Sequence, residues 1–376
     1  DAPSPAARRL RLRIRLAAGE RQAVLEEALS WAESADGAAA RTAWAMVARA
    51  ARALERSQPE LRALEALLAG TEGEQRGVRV ERAWEAYLAR GERLGNQANL
   101  LVGEDGQWLR LAREKSAGVD RRALLASVAL LGRSAETRQD ARQAFIQALA
   151  EAERPGTALA LFRHGPAFAE ADALSSPAEV QLGRLALRTD RYPAAHYWLE
   201  RVEGLPSSVK PGPWHLMRGR LAVRLGEFAT GEAQLAQLLE RPALFAEAGF
   251  RDRFLQVVFD LQEQEAYDRA LRLLSGLHEV VEDPGARREI LFWQAECREG
   301  LGAHRRAATL YLRSAAHPAG EAGDPWSRTA RFRAAGALAK TAYTADARRI
   351  YRALLGGGSG EQRVAIERRL RRLGSE

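Results

Sequence analysis

The sequence predicts an all-α protein, a right-handed superhelix of stacked antiparallel helical hairpins, and three observations predict it. The 376 residues are rich in Ala, Leu, Arg and Glu, which form helices readily, while β-branched residues are few and Gly and Pro are scattered as punctuation. Past its opening stretch the chain almost nowhere alternates apolar and polar residues with the period of two that a half-buried strand requires. The C-terminal half repeats itself at about 36 residues, a period that belongs to stacked supersecondary units.

The chain opens on DAPSPAA, a polar, Pro-containing stub of the kind left by signal-peptide cleavage or by trimming of a membrane anchor. It points to a periplasmic or membrane-anchored protein, with an anchor upstream; a cytoplasmic protein is the alternative. RRLRLRIRL, residues 8–16, alternates like a strand but has no partner strand downstream. Wound as a helix, it places Leu10, Ile14 and Ala17 on one face and Leu12 and Leu16 on another. Two apolar stripes suit a helix buried on two sides, between its own partner and the next hairpin. Five Arg spread to all sides make a poor basic face for a membrane, the alternative reading. Gly19 then makes a turn, and Val24, Ala28 and Trp31 lie along a second helix.

Residues 36–134 read as further helices with poorer periodicity. SQPELRALEALLAG carries Ser57 as an N-cap, Pro59 in the first turn, Glu60 completing a capping box and Gly70 as the stop. RVERAWEAYLARGERLGNQANLL predicts a long helix ending near Gly95, and VGEDGQW (102–108) a turn at its Asp-Gly pair. Residues 1–134 are therefore expected to be a degenerate N-terminal extension of one array, 135–356 the repeat array proper, and 357–376 a charged amphipathic helix capping it.

The repeat is read from VQLGRLALRTDRYPAAHYWLERVEGLP (180–206), LMRGRLAVRLGEFATGEAQLAQLLERP (216–242) and LFWQAECREGLGAHRRAATLYLRSAAHP (291–318). Gly183 and Gly219, Tyr192 and Phe228, and Pro206 and Pro242 each lie 36 residues apart. Looser copies occupy 144–162, 256–277 and 333–355. In each, a small residue (Gly183, Gly219, Ala295) lets a first helix approach its partner, and another (Ala195, Gly231, Ala270, Ala307, Ala347) marks the crossing on the second. A closing Pro ends the second helix in several copies. No hairpin hides its apolar face alone, so neighbours must stack.

This small/large/small pattern, with its turn aromatic and closing Pro, resembles the tetratricopeptide repeat (TPR) family over roughly residues 136–356. The units here run 36 to 40 residues, longer than the ~34 usual in that family, and the aromatic expected early in each unit is mostly missing. The resemblance implies a scaffold whose first helices line a concave groove for a peptide segment. It implies no chemistry.

Catalytic and metal-binding signatures are lacking. GGGSG (356–360) is not followed by Lys-Ser/Thr, so a helix-ending loop is expected and no phosphate cradle. The six histidines never fall at metal-ligand spacing, and the lone Cys297, in an apolar helical stretch, reads as a small core residue. Glu33-Ser34 is similar to the Glu-Ser pair of lytic transglycosylases, without the glycine-rich catalytic domain around it. The expectation is no enzyme, no metal and no cofactor. No run of eighteen apolar residues is present, so no membrane span is predicted. The net charge is +8, carried almost wholly by Arg, since only Lys115, Lys210 and Lys340 are lysines. Acidic residues are interleaved with the Arg, as in ERQAVLEEAL, which predicts a solvated surface of i,i+4 pairs and disfavours nucleic acid.

What remains is a binding surface. Arg184 and Arg188 lie four apart on one first helix, and Arg220 and Arg224 are their counterparts on the next, with Trp214 and His215 near the edge. Four guanidinium groups on a groove wall would suit a protein or peptide partner bearing acidic groups or a terminal carboxylate. The ordinary alternative is that these Arg pair with carboxylates of later repeats, such as Glu263 or Glu296. The expected function is a non-catalytic scaffold in assembly or regulation of a bacterial cell-envelope complex. A basic module for an anionic polymer (polysaccharide, nucleic acid or lipid headgroups) is the alternative.

Overall fold

The computed structural model describes residues 4–70, 75–95, 105–165, 174–207, 209–319, 324–356 and 360–374. Among them are twenty α-helices, one short 3-10 turn and no strand. The chain divides into two compact units, residues 1–208 and 209–376.

The first unit begins with α1 (Pro5–Ala17), capped by Ser4, whose Oγ accepts the Ala7 N–H. Gly19, with φ +90°, makes the turn into α2 (Arg21–Ser34), and α3 (Gly37–Ala53) packs on both. The helical reading of RRLRLRIRL is right, but its burial on two sides is not. Leu12 is fully buried among Val24, Leu25, Ala28, Trp31 and Met46, whereas Leu10 and Ile14 are 58% and 61% exposed. The inner stripe meets α2 and α3; the outer stripe faces solvent.

α4 (Ser57–Ala69) ends at Gly70 as expected, but the capping box does not form. Ser57 already lies inside the helix, and the Glu60 carboxylate is taken instead by Arg82, whose Nη2 is 3.1 Å away on α5 (Gln75–Leu94). The Asp-Gly pair at 105–106 does not turn the chain; it opens α6 (Asp105–Glu114). The buried Asp105 carboxylate accepts the backbone N–H groups of Arg133 and Ser134, just past α7 (Val119–Leu131). An acidic side chain at a helix start is favoured by the exposed amide dipoles.

Four helices of this unit meet at Glu65 of α4. Its carboxylate accepts from Arg122 of α7 at 2.8 and 2.7 Å and from the Tyr87 hydroxyl of α5 at 2.6 Å. Its backbone carbonyl accepts from Thr157 of α9 (Pro155–His164) at 2.7 Å. All four residues are buried. Gly156 lets α9 approach closely, since a Cβ there would lie 2.9 Å from the Ala69 carbonyl oxygen. So α9 packs on α4 and α5 as well as on its sequence neighbours α8 (Ala135–Glu151) and α10 (Ser176–Arg188), a departure from strictly serial stacking. α11 (Tyr192–Glu200) completes the unit and ends well ahead of Pro206.

The second unit is the regular one. It comprises α12 (Pro211–Arg224), α13 (Phe228–Leu239), a 3-10 turn (Pro242–Ala246), α14 (Ala248–Glu263), α15 (Tyr267–Val280), α16 (Pro284–Gly300), α17 (His304–Ala315), α18 (Pro325–Ala339), α19 (Thr344–Leu355) and α20 (Gly360–Gly374). They pair as antiparallel hairpins, and the small residues do what their spacing predicts. A Cβ on Gly219 would meet Leu235 at 3.0 Å, and one on Gly231 would meet Val223 at 2.7 Å. Ala270, Ala295, Ala307 and Ala347 are fully buried. α20 buries Ile366 and Leu373 on its inner side and turns charged residues outward.

The charges pair differently from expectation. Pairs at i,i+4 exist (His196–Glu200, Arg272–Asp268, Arg363–Glu367), but the more buried ones bridge repeats. In the second unit Arg224 reaches Asp260, 36 residues on, Arg288 reaches Asp324, also 36 on, Arg333 binds Glu296 and Lys340 binds Glu299. Stacking at this period sets equivalent positions of successive hairpins side by side, where arginine on one repeat answers a carboxylate on the next.

Candidate functional site

In the first unit, α10 presents Arg184 and Arg188. Its inner side, Leu182, Leu185 and Ala186, is buried, and Gly183 brings α11 so near that a Cβ would lie 2.5 Å from Leu199. That close packing turns the remaining face outward. Gln181, Arg184 and Arg188 follow one another along it at helical spacing, and Gln181 donates to Gln147 of α8 at 2.8 Å. Both arginines are exposed and make no hydrogen bond or ion pair with a described residue.

In the second unit Arg220 and Arg224 are brought together, but by a carboxylate. Asp260 of α14 is 1% exposed and accepts from Arg224 through Nε at 3.1 Å and Nη2 at 2.5 Å. Arg220 Nε stands 4.0 Å from the same carboxylate. Burial pushes the Asp260 carboxyl upward, and the two guanidinium groups oppose that shift. The pairing resembles the ordinary alternative foreseen from sequence, with Asp260, one helical turn before Glu263, as the acceptor. Trp214 is 4% exposed, and the Arg218 guanidinium lies 5.5 Å from its ring centroid. His215 is half-buried, its Nδ1 3.0 Å from Gln234 Oε1.

The sequence did not point to a basic, aromatic cavity in the first unit. About 230 Å³ in volume, it lies between the C-terminal end of α9 and α11. The Arg163 guanidinium is 3.7 Å from the centroid of the Tyr197 ring and that of Arg201 5.4 Å, a stacked arrangement in which the ring face attracts both cations. Arg201 donates to Glu179 at 2.9 Å; Arg163 has no carboxylate partner among the described residues. His164 holds a proton less readily than usual, from burial first and then from Arg76 and Arg163, so the local potential is positive. These residues come from separate helices and share no periodicity, which is why no sequence signal gathers them.

No metal-ligand cluster is assembled among the described residues. No three His, Cys, Asp or Glu side chains converge as metal ligands. Glu33 pairs with Arg62 at the surface, 2.9 Å apart. Cys297 is buried and accepts from Gln262 Nε2 at 3.0 Å; burial pushes its thiol up to about 11, which leaves it unreactive at neutral pH. No described helix is long and apolar enough to cross a membrane.

No protein-family model matches the sequence, and no curated protein is similar to it. Among solved structures, the chain is similar to yeast Tom70 at 12% identity, over 99% of this chain and 89% of that one, with a TM-score of 0.33. It is similar to the P58(IPK) TPR domain at 12% identity, over 99% of each chain, with a TM-score of 0.26.

Proposed function

We propose that this protein is a non-catalytic scaffold that binds a protein or peptide segment carrying acidic groups, in assembly or regulation of a bacterial cell-envelope complex. In this reading it acts in the periplasm or held to a membrane. One observation carries the binding claim: among the described residues Arg184 and Arg188 have no partner on their first helix, while Arg224 and Arg333, at other repeat seams, are matched to carboxylates. A guanidinium pair left without an acceptor is suited to a carboxylate from elsewhere, and Arg163, stacked on Tyr197, adds a third such group in the same unit. Arg224 contributes less, because Asp260 already binds it, whereas Arg220 stands 4.0 Å from that carboxylate without a hydrogen bond to it.

Titration with a fluorescent acidic peptide tests this. Arg184→Glu with Arg188→Glu should lower affinity at least tenfold, by removing two charge-assisted contacts and adding repulsion, with the melting temperature unchanged. Unchanged affinity removes these residues from the function. Salt separates the alternative reading: loss of about a thousandfold or more in binding between about 50 and 200 mM salt is the mark of six or more phosphate contacts and of an anionic polymer.

A further inference from the structure

The outer face of α1 leaves an apolar stripe exposed. Ala6, Leu10, Ile14 and Ala17 follow one another along it, with Leu10 and Ile14 58% and 61% exposed. Arg9 and Arg13 flank the stripe, exposed and with no ion pair or hydrogen bond to a described residue. Their neighbours differ: Arg11 and Arg15 on the inner side bind Glu27, and Arg15 also binds Glu20 at 2.7 Å. α20, in the other unit, differs: beside Gln362, Val364 and Ala365, its exposed side chains are charged.

Two other seams of the first unit show a complementary arrangement. α4 and α5 pack with Arg82–Glu60 at their edge, and α5 and α7 with Arg90–Asp120 at 2.8 Å. In both, arginine on one helix meets carboxylate on the other. α1 offers the stripe and the arginines and lacks only the carboxylates.

We propose that this face docks an amphipathic helix of a partner protein whose apolar stripe is flanked by Asp or Glu. A second copy of this chain fits poorly, because α1 against α1 sets arginine against arginine, and α20 is basic as well. A lipid surface fits less well than a helix. Two bulky side chains and two unpaired cations make a marginal anchor, whereas a facing helix satisfies both the stripe and the charges. The surface is separate from the groove arginines and stands whether or not they bind a peptide.

The test uses the full chain and two synthetic helical peptides with the same Leu stripe, one flanked by Glu and the other by Lys, read by fluorescence anisotropy. The Glu peptide binds and the Lys peptide does not. Leu10→Ser with Ile14→Ser weakens the Glu peptide about tenfold or more, and Arg9→Glu with Arg13→Glu reverses the preference between the peptides. All four side chains are exposed, so an unchanged melting temperature certifies the fold of each variant. Arg184→Glu with Arg188→Glu leaves this binding intact, which separates it from the groove. Absence of binding at about 1 mM Glu peptide, equal binding of both peptides, or indifference to the α1 variants overturns the proposal. So does binding confined to phosphatidylglycerol vesicles, which would make α1 a lipid contact, or a dimer broken by the α1 variants, which would make it a self-interface.

Discussion

At Gly183 a single hydrogen stands where any side chain would collide: a Cβ would lie 2.5 Å from Leu199 and within the packed interior of α10 on α11. Gly183→Val should therefore destabilise by about 1–3 kcal/mol through overpacking, despite the better helix propensity of Val. A melting temperature equal to that of the parent would contradict the close-approach role. This residue was legible in the sequence, because a small residue recurring at Gly219 with the same neighbours announces a crossing. Asp260 was not. It looks like any surface acid until α14 is laid beside α12, and only then does it become the acceptor of Arg224. Trp214 misled for the same reason. An aromatic near a helix start can edge a groove or enter a core, and the neighbouring hairpin decides which.

Among the elements, the joint of α4, α5, α7 and α9 at Glu65 has the most at stake. Its carboxylate answers a buried arginine and a buried tyrosine, and burial, followed by Glu65 itself, pushes the Tyr87 hydroxyl well above its ordinary range. Glu65→Ala strands Arg122, 6% exposed, without its counter-charge, at a cost of about 3–5 kcal/mol. Denaturant titration followed by tryptophan fluorescence would measure it, and a loss below about 1 kcal/mol would mean that the pair is no more than a surface bridge. The helices themselves were foreseen: α1, α2, α5 and the hairpins of 144–162 and 180–355 occur where periodicity puts them. Misreadings fell at their ends and outer faces. The capping box failed because Arg82 competes for Glu60, and the Asp-Gly turn became a helix start because Asp105 receives amides from residues 133 and 134. Both competitors lie far along the chain, beyond any local pattern.

Across the whole molecule, inter-repeat ion pairs make stability depend on acid. Arg288 holds the Asp324 carboxyl down at about 2 while that side chain also caps α18 through the Ser327 N–H. The Arg272 and Arg269 pair holds Glu232 down. At Glu299 burial works upward, but Lys340 and Arg333 outweigh it and the net shift is also downward. A carboxyl lowered by folding stabilises above its unfolded value and loses that contribution as pH falls through its folded one. Asp260, raised by burial, has the opposite sign and is outnumbered. The melting temperature should thus fall between about pH 5 and about pH 2. Asp324→Asn, which keeps a capping oxygen, should lower it at the higher pH and narrow the difference. An equal difference in both proteins would remove Asp324 from the acid response. The net charge of +8 is already the surplus of basic over acidic residues, so the pairs between repeats leave it unchanged and decide only where the surplus arginines stand.

That the chain is helical, that its helices pair and that the pairs recur near 36 residues can be read from the residues alone, because propensity, small-residue crossings and turn residues all act within one hairpin. The same holds for the helical state of α1, though its alternation imitates a strand. Which charges are answered and which are left over depends on how successive hairpins pack. An arginine's partner sits a full repeat away, and neighbours with the same local sequence can end beside a carboxylate, as Arg224 does at Asp260, or without a partner among the described residues, as Arg184 and Arg188 do on α10.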